Sequence, residues 1–406
     1  MFQAIPEKRT VPSAARIAVL FCAVCGLYGW AQFVTIFIHD GLIGPRFDAV
    51  GTDWMVYYAG VKALLQGHLP LIFDAQHFTA YQNDMFAALL PRPLSFRPWL
   101  YPPDYLLILL PFALLSFAFS FVLFEVGTFV AAAASLSRRG GLDWRRTVPL
   151  LLSPAACLAV IAGQNAFLSA ALMIGGFRLL SRRPVLAGVL LGALTYKPQL
   201  WLLVPVALIA AGRWRSLAAA VITAAALVLI SVAILGVEPW RLWLAEATNA
   251  PADFYADWLQ FGLLHGFSPY VCALLLGASG SVATTIQVVA SLGAAAAVYW
   301  AYRRPRPVDL QLAILLAATM LAAPHVQSYD MVLLAAAVLL ILPRALEIGF
   351  LPGELALLGA AWILPWMQPI IVPGARVAPI LIALVVAYAI ARARRSTTPE
   401  TPQMPS

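Results

Sequence analysis

Near-continuous apolar runs set the organisation of this chain. Ile17 to Ile38, Leu217 to Gly236, Val282 to Ala301 and Val377 to Ala391 carry almost no charge. Several are long enough to cross about 30 Å of hydrocarbon at 1.5 Å per residue. They read as transmembrane helices of an all-α polytopic membrane protein. The first follows a basic flank and lacks a small-residue cleavage pattern, so it reads as a retained signal anchor.

Other crossings are short or broken. Arg183 to Arg213 makes an outward and a return pass with Lys197-Pro198 at its apex. Thirteen helical residues reach about 20 Å, which leaves Lys197 inside the outer half of the bilayer. Irregular backbone survives there only where it lines a cavity, and an unpaired ammonium is costly. Arg146 to Arg178 repeats the design with Gly163-Gln164-Asn165 at its apex, and Val308 to Arg344 turns at Pro324 to Asp330. Tyr101 to Ser137 has to cross once, and a surface helix with a kink near Pro111 is the expectation. Two extracytoplasmic loops are expected at about residues 39–100 and 237–267, rich in aromatic residues, acids and prolines as membrane-surface segments are. Within the first, Val56, Tyr57, Ala59, Gly60, Ala63 and Leu64 recur at helical spacing with Lys62 and Gln66 opposite. The spacing predicts an amphipathic helix along the interface, with Thr52 as its N-cap. The domain expectation is one membrane unit over residues 1–395 and a disordered tail at 396–406.

Composition agrees: apolar residues make up 62% and charged residues 11%, a balance no water-soluble fold of this length shares. The formal charge of +8 raises the question of nucleic acid. The positive residues, however, gather in clusters: Lys8, Arg9 and Arg16; Arg138, Arg139, Arg145 and Arg146; Arg178, Arg182 and Arg183; Arg213 and Arg215; Arg303, Arg304 and Arg306; Arg344; Arg392, Arg394 and Arg395. Such clusters read as positive-inside signals that put both termini in the cytoplasm. No nucleic-acid partner is expected. Cys22 and Cys25 have redox spacing but sit in the first apolar helix, where packing explains them; Cys157 and Cys272 are isolated.

The polar tips and the first loop share one face, and the candidate chemistry lies there. Asp53 is the candidate base, since a surface carboxylate can accept a hydroxyl proton. A first-turn acid stabilised by the helix dipole explains it equally, and Asp40 and Asp48 compete for the role. Lys197 and His325 suit a phosphate leaving group. Against this, Lys197 can snorkel to the headgroups and His325 can cap the following helix. Asp330 reads as a first-turn acid or a partner of Lys197. Gln164 and Asn165 are candidates for sugar hydroxyls, although turn formation explains them as well. No His, Asp or Glu pair has metal-ligand spacing, His39 with Asp40 and His68 with Asp74 included, and no cofactor or metal is expected. With no glycine-rich phosphate loop, a cytoplasmic nucleotide sugar is not the expected sugar source. A lipid or glycan transporter is the rival reading, which calls for paired repeats and polar groups reaching both faces.

Asp53-Trp54-Met55-Val56-Tyr57-Tyr58 with Gly67 and Phe73-Asp74 opens an ordered set of motifs. It continues through Tyr101-Pro102-Pro103, Gly163-Gln164-Asn165, Pro184-Val185-Leu186-Ala187-Gly188, Tyr196-Lys197-Pro198-Gln199 and Gly212-Arg213-Trp214-Arg215. Pro324-His325 with Tyr329-Asp330 closes it. Over roughly residues 50–335 the set resembles glycosyltransferase family 87. The resemblance implies a GT-C-like bundle of about 10–12 transmembrane helices with short outer-face amphipathic helices. It implies inverting transfer of a hexose, mannose by default, from a polyprenyl-phosphate sugar to a lipid or glycan acceptor. The members it resembles are polyprenol-phosphate-mannose-dependent mannosyltransferases of phosphatidylinositol mannoside synthesis. The implied setting is a bacterial inner membrane, with the site facing outward among membrane lipids. Asp53 matches the base, and Lys197 and His325 match positions facing the donor phosphate. Tyr57, Gln164, Asn165, Tyr329 and Asp330 are the further substrate-binding candidates, and the basic flank at Arg92 and Arg97 is another approach to a phosphate.

Overall fold

In the computed structural model, residues 13–39, 50–90, 92–94, 96–137, 141–249, 266–370 and 376–395 are described. Asp40, Asp48, Arg138, Arg139, the segment 250–265 and the tail lie outside them. The described helices are α1 (Ser13–His39), α2 (Thr52–Leu65), α3 (Ala75–Phe86), α4 (Asp104–Ala113), α5 (Phe117–Leu136), α6 (Trp144–Leu151) and α7 (Pro154–Ala162). They continue with α8 (Ala166–Leu179), α9 (Pro184–Gly192), α10 (Pro198–Trp201), α11 (Val204–Ala210), α12 (Trp214–Leu235) and α13 (Glu238–Asn249). The last are α14 (Pro269–Leu275), α15 (Gly280–Tyr302), α16 (Val308–Ala322), α17 (Val332–Ile348), α18 (Glu354–Ile370) and α19 (Ala378–Arg395). Among the described residues the only β pairing is an isolated bridge between Gly266 and Gln327. The protein is an all-α polytopic membrane protein.

Among the described residues, four stretches are long and apolar enough to cross a bilayer alone: Phe117–Leu136, Trp214–Leu235, Gly280–Tyr302 and Ser328–Ile348. A fifth forms if α6 and α7, bent by 60° at their junction, are one broken span. Seven more apolar helices among the described residues run 10–17 residues, so the expected set of about 10–12 spans is not a set of uniform rods. α16 illustrates the reason. Its 15 residues rise only about 22 Å, and it is buried on every side from Leu312 to Ala322. It packs against α15, α17 and α19 and needs no lipid-facing stripe. α12 and α15 form the outer layer, with large side chains such as Ile222, Leu229, Val289 and Leu292 facing outward. α9 lies along α12 because Gly188 and Gly192 expose its backbone. A Cβ on Gly188 would lie 2.5 Å from that of Ala219, and one on Gly192 would lie 2.7 Å from that of Thr223. This is the small-residue contact by which apolar helices associate without hydrophobic driving force.

At the ends of α6, α8 and α16 remote from the polar tips, Arg146 and Arg178 each donate to one oxygen of Asp309 at 3.0 Å. Arg178 also donates to Ser135 O at 2.6 Å. Arg392 pairs with Glu354 in full burial, tying α19 to α18. These arginines, expected as topology signals, are also the clamps of the bundle.

The helix expected along the interface is corrected. α2 is buried at Thr52, Trp54, Met55, Val56, Tyr57, Ala59, Gly60, Val61 and Ala63, because α3, α4 and the 3-10 turn Leu69–Phe73 cover it. The amphipathic helix is α3, which buries Phe78, Thr79, Gln82 and Phe86 and exposes Gln76, His77 and Ala80. Thr52 is not the N-cap either. Gly51 holds that position at φ 73° with no side-chain cap. Near Pro111, where a kink is expected, α4 ends two residues later and α5 begins at Phe117.

Candidate active site

Two left-handed glycines bring the start of α2 onto the α7–α8 tip. Gly163 ends α7 at φ 73°, and a Cβ there would sit 2.7 Å from Trp54 Cβ. Gly51 donates its backbone N–H to Ile161 O at 2.6 Å. A side chain at either position would be strained in that conformation, and at Gly163 it would push α2 away. Asp53, in the first turn of α2, is thereby set against Gln164.

Gln164 Nε2 donates to Asp53 Oδ2 at 2.7 Å. Its Oε1 accepts from the Asn165 backbone N–H at 3.2 Å and lies 3.0 Å from the Tyr57 hydroxyl and 3.2 Å from that of Tyr101. The two hydroxyls are 2.7 Å apart, so two protons serve three oxygen–oxygen edges. Asn165 Nδ2 approaches Tyr57 at 3.4 Å and Tyr105 at 3.0 Å. Donors therefore crowd one end of the Gln164 amide, and only its NH2 can face the carboxylate. Burial pushes the Tyr101 phenol above its usual range, which keeps it a hydroxyl able to donate. The ring of Tyr105, 4.8 Å from both Tyr101 and Tyr196, continues the wall inward.

The second wall comes from two other tips. α9 loses its register in the 3-10 turn Ala193–Tyr196, and Pro198 starts α10, so Lys197 stands at the break. Its Nζ donates to Asp330 Oδ1 at 2.8 Å, with both side chains buried. The Gln327 N–H donates to Asp330 Oδ2 at 3.1 Å. The ring of Tyr329 lies 5.4 Å below the ammonium. The walls share one field: the charges of Asp330 and Asp53 both act on Lys197, and Asp53, Asp330, Tyr101 and Arg97 all act on Tyr329. His325 is solvent-exposed, yet burial among surrounding protein holds its basicity below the usual histidine range. Phe267 N–H donates to Val326 O at 2.8 Å, pinning the strip that carries this ring.

Asp53, Tyr57, Gln164, Asn165, Lys197, Tyr329 and Asp330 are thus joined by contact or by field, with His325 on the same tip as Asp330. Several alternatives fall away. Lys197 does not snorkel, because its ammonium is buried against Asp330. The residue before the 3-10 turn Ser328–Met331 is Gln327, so His325 is not the cap. Gln164 is a partner of Asp53 before it is anything to a sugar. Asp74 pairs with His77 at 2.8 Å rather than with His68. Among the described residues no group of three His, Cys, Asp or Glu is arranged to hold a metal. The sequence does not single out Tyr101 as a site residue: Tyr101-Pro102-Pro103 enters only as one of the ordered motifs, and its partner Gln164 lies 63 residues on.

No curated protein and no solved structure matches the chain. The sequence profile of glycosyltransferase family 87 matches residues 99–324, a narrower span than the ordered motifs suggested. It holds Tyr101, Gln164, Asn165 and Lys197, starts after Asp53, and stops one residue before His325. Since it spans more than half of the 406 residues, the chain belongs to glycosyltransferase family 87 and is a multi-pass membrane glycosyltransferase.

Proposed function

We propose that the protein transfers a hexose, mannose by default, from a polyprenyl-phosphate sugar to a lipid or glycan acceptor on the extracytoplasmic face, with inversion. One observation carries the reading: Gln164 holds the Asp53 carboxylate at 2.7 Å, and the charge of that carboxylate reaches Lys197, a cation at a helix break. The basic clusters at the remote helix ends support an outward-facing recess and cytoplasmic termini.

In this reading the lipid-linked sugar enters sideways from the bilayer, its phosphate near Lys197 and His325. The acceptor oxygen forms a bond to C1 from the face opposite the phosphate while Asp53 takes its proton. The C1–O bond to phosphate breaks and its electron pair stays on the phosphate oxygen. The leaving group passes from a phosphodiester with one negative charge to a monoester with a second developing, so nearby donors and cations act most strongly in the transition state. One displacement gives inversion. Lys197 keeps its charge because Asp330 balances it, and Tyr329 walls the pair.

The test is Asp53→Asn in proteoliposomes supplied with polyprenyl-phosphate hexoses. Wild type transfers the sugar, and the variant loses at least about 10²-fold in kcat. If wild type moves such lipids between leaflets without forming a glycoside, the transporter reading takes its place.

A further inference from the structure

The loop at residues 303–307 joins α15 to α16 at the end of the bundle where Arg146 and Arg178 hold Asp309, remote from the candidate active site. It carries Arg303, Arg304 and Arg306, and the end of α19 brings Arg394 to the same place. One indole gathers two of these cations. The Arg306 guanidinium carbon lies 3.8 Å from the centre of the Trp300 ring, and that of Arg394 lies 5.4 Å from it. Arg306 also donates through Nη1 to Trp300 O at 2.8 Å and to Ala301 O at 3.1 Å, closing the C-terminal end of α15. The charges of Arg303, Arg304 and Arg394 all act on Arg306. Acids at this end are shared among other arginines: Asp309 with Arg146 and Arg178, Glu354 with Arg392, and Glu347 with Arg344. Arg303, Arg304 and Arg306 thus stand as an excess of positive charge, and an anion is the complement. The helix leading to them says which anion. Val288, Leu292 and Tyr299 of α15 are exposed at spacings that keep them on one face. That stripe runs on to Arg303, whose backbone is still helical. A free phosphate makes no use of an apolar stripe, whereas an acyl chain lies along it.

We propose that this end of α15 and α19 binds an anionic phospholipid, its phosphate meeting Arg303, Arg304, Arg306 and Arg394 around Trp300 and an acyl chain lying along Val288, Leu292 and Tyr299. Basic pockets between membrane helices take lipid headgroups in this way. A guanidinium is always charged and presents paired N–H groups that match phosphate oxygens. The indole and the helix-end carbonyls already order Arg306, so less side-chain freedom is lost when a phosphate binds. The lipid is a structural partner and not a substrate, which leaves the proposal independent of the transfer chemistry.

The experiment is native mass spectrometry of the full chain in detergent, with thermal unfolding beside it, and three probes: phosphatidylglycerol, phosphatidylcholine and inorganic phosphate. Wild type retains phosphatidylglycerol in preference to phosphatidylcholine, whose choline cancels its phosphate, and its Tm rises with the anionic lipid but not with inorganic phosphate. The double variant Arg303→Gln with Arg304→Gln changes two exposed side chains and weakens phosphatidylglycerol binding about fivefold per arginine. Its Tm without lipid stays at the wild-type value, which separates lost binding from lost fold. Arg306→Gln weakens binding by a similar factor and Arg306→Lys by less, since the charge remains. Arg344→Gln, at the same end but paired with Glu347, binds as wild type does. Undiminished binding in the Arg303→Gln and Arg304→Gln variant, or equal retention of phosphatidylcholine, overturns the site. A Tm rise with inorganic phosphate equal to that with phosphatidylglycerol overturns the lipid as its occupant.

Discussion

Replacing Gln164 with leucine keeps the bulk of the side chain and removes its single donation to Asp53, the 2.7 Å bond from Nε2. A hydrogen bond to a charged group contributes about 1.5–3 kcal/mol, and each 1.36 kcal/mol is tenfold in rate. The loss falls where the carboxylate must point at the acceptor hydroxyl, so kcat drops by roughly 10- to 150-fold. The KM for the lipid-linked sugar stays near wild type, because the phosphate wall does not include Gln164. Tyr57 and Tyr101 keep each other at 2.7 Å, and the fold survives. Gln164→Glu is the sharper variant. It preserves size and the acceptor for Tyr57 and Tyr101 but turns a second carboxylate towards Asp53, so it falls at least as far as leucine. Kinetics of sugar transfer in nanodiscs, with thermal unfolding as control, give the answer. A Gln164→Leu enzyme within threefold of wild type in kcat, or one impaired only in KM, refutes the positioning argument.

Two further outcomes follow from the same structure. Lys197→Met strands Asp330 in a buried setting and Asp330→Asn strands the ammonium, each costing about 3–5 kcal/mol. The double variant regains most of that stability in thermal unfolding but not the transfer activity, and single variants as stable as wild type would remove the pair as a structural unit. Asp74 caps α3 through the His77 N–H at 3.2 Å, and hydrogen bonds from His77 hold its carboxyl below the usual aspartate range. Asp74→Ala weakens α3 by about 0.5–2 kcal/mol. Because the native carboxyl is the stronger acid, this contribution is complete above the ordinary value of about 3.9 and is lost as pH falls through the depressed one. Hydrogen exchange of the α3 amides therefore differs between wild type and variant at neutral pH, and the difference closes in acid.

The sequence was most readable where local chemistry interrupts an apolar run. Lys197-Pro198, Gly163 and Pro324 break helices by their own backbone properties, and all three tips fall where those residues stand. The uncharged length of 217–236 gave α12 directly. The partners across the chain were not readable. Periodicity over 53–67 suggested a surface helix because it reports a repeating apolar face and not what covers the opposite one; α3 and α4 cover it. Arg146 and Arg178 looked like membrane-orienting charges because their shared partner Asp309 is 163 and 131 residues away. Gln164 read as a sugar-binding or turn residue and not as a partner of Asp53, since the tie between them spans 111 positions.

The Lys197–Asp330 pair, 133 residues apart, bears on biogenesis. During synthesis the segment around Lys197 leaves the ribosome well before Asp330 exists, so its ammonium enters the bilayer without its final counter-ion. An isolated charge in a membrane helix is tolerated only near the interface or in contact with water. The hairpin of α9 to α11 thus waits at shallow depth until α16 and the tip behind it are threaded into place. The recess closes around its chemistry only once some four-fifths of the polypeptide has been made, and a nascent chain released earlier holds neither the ion pair nor the finished wall.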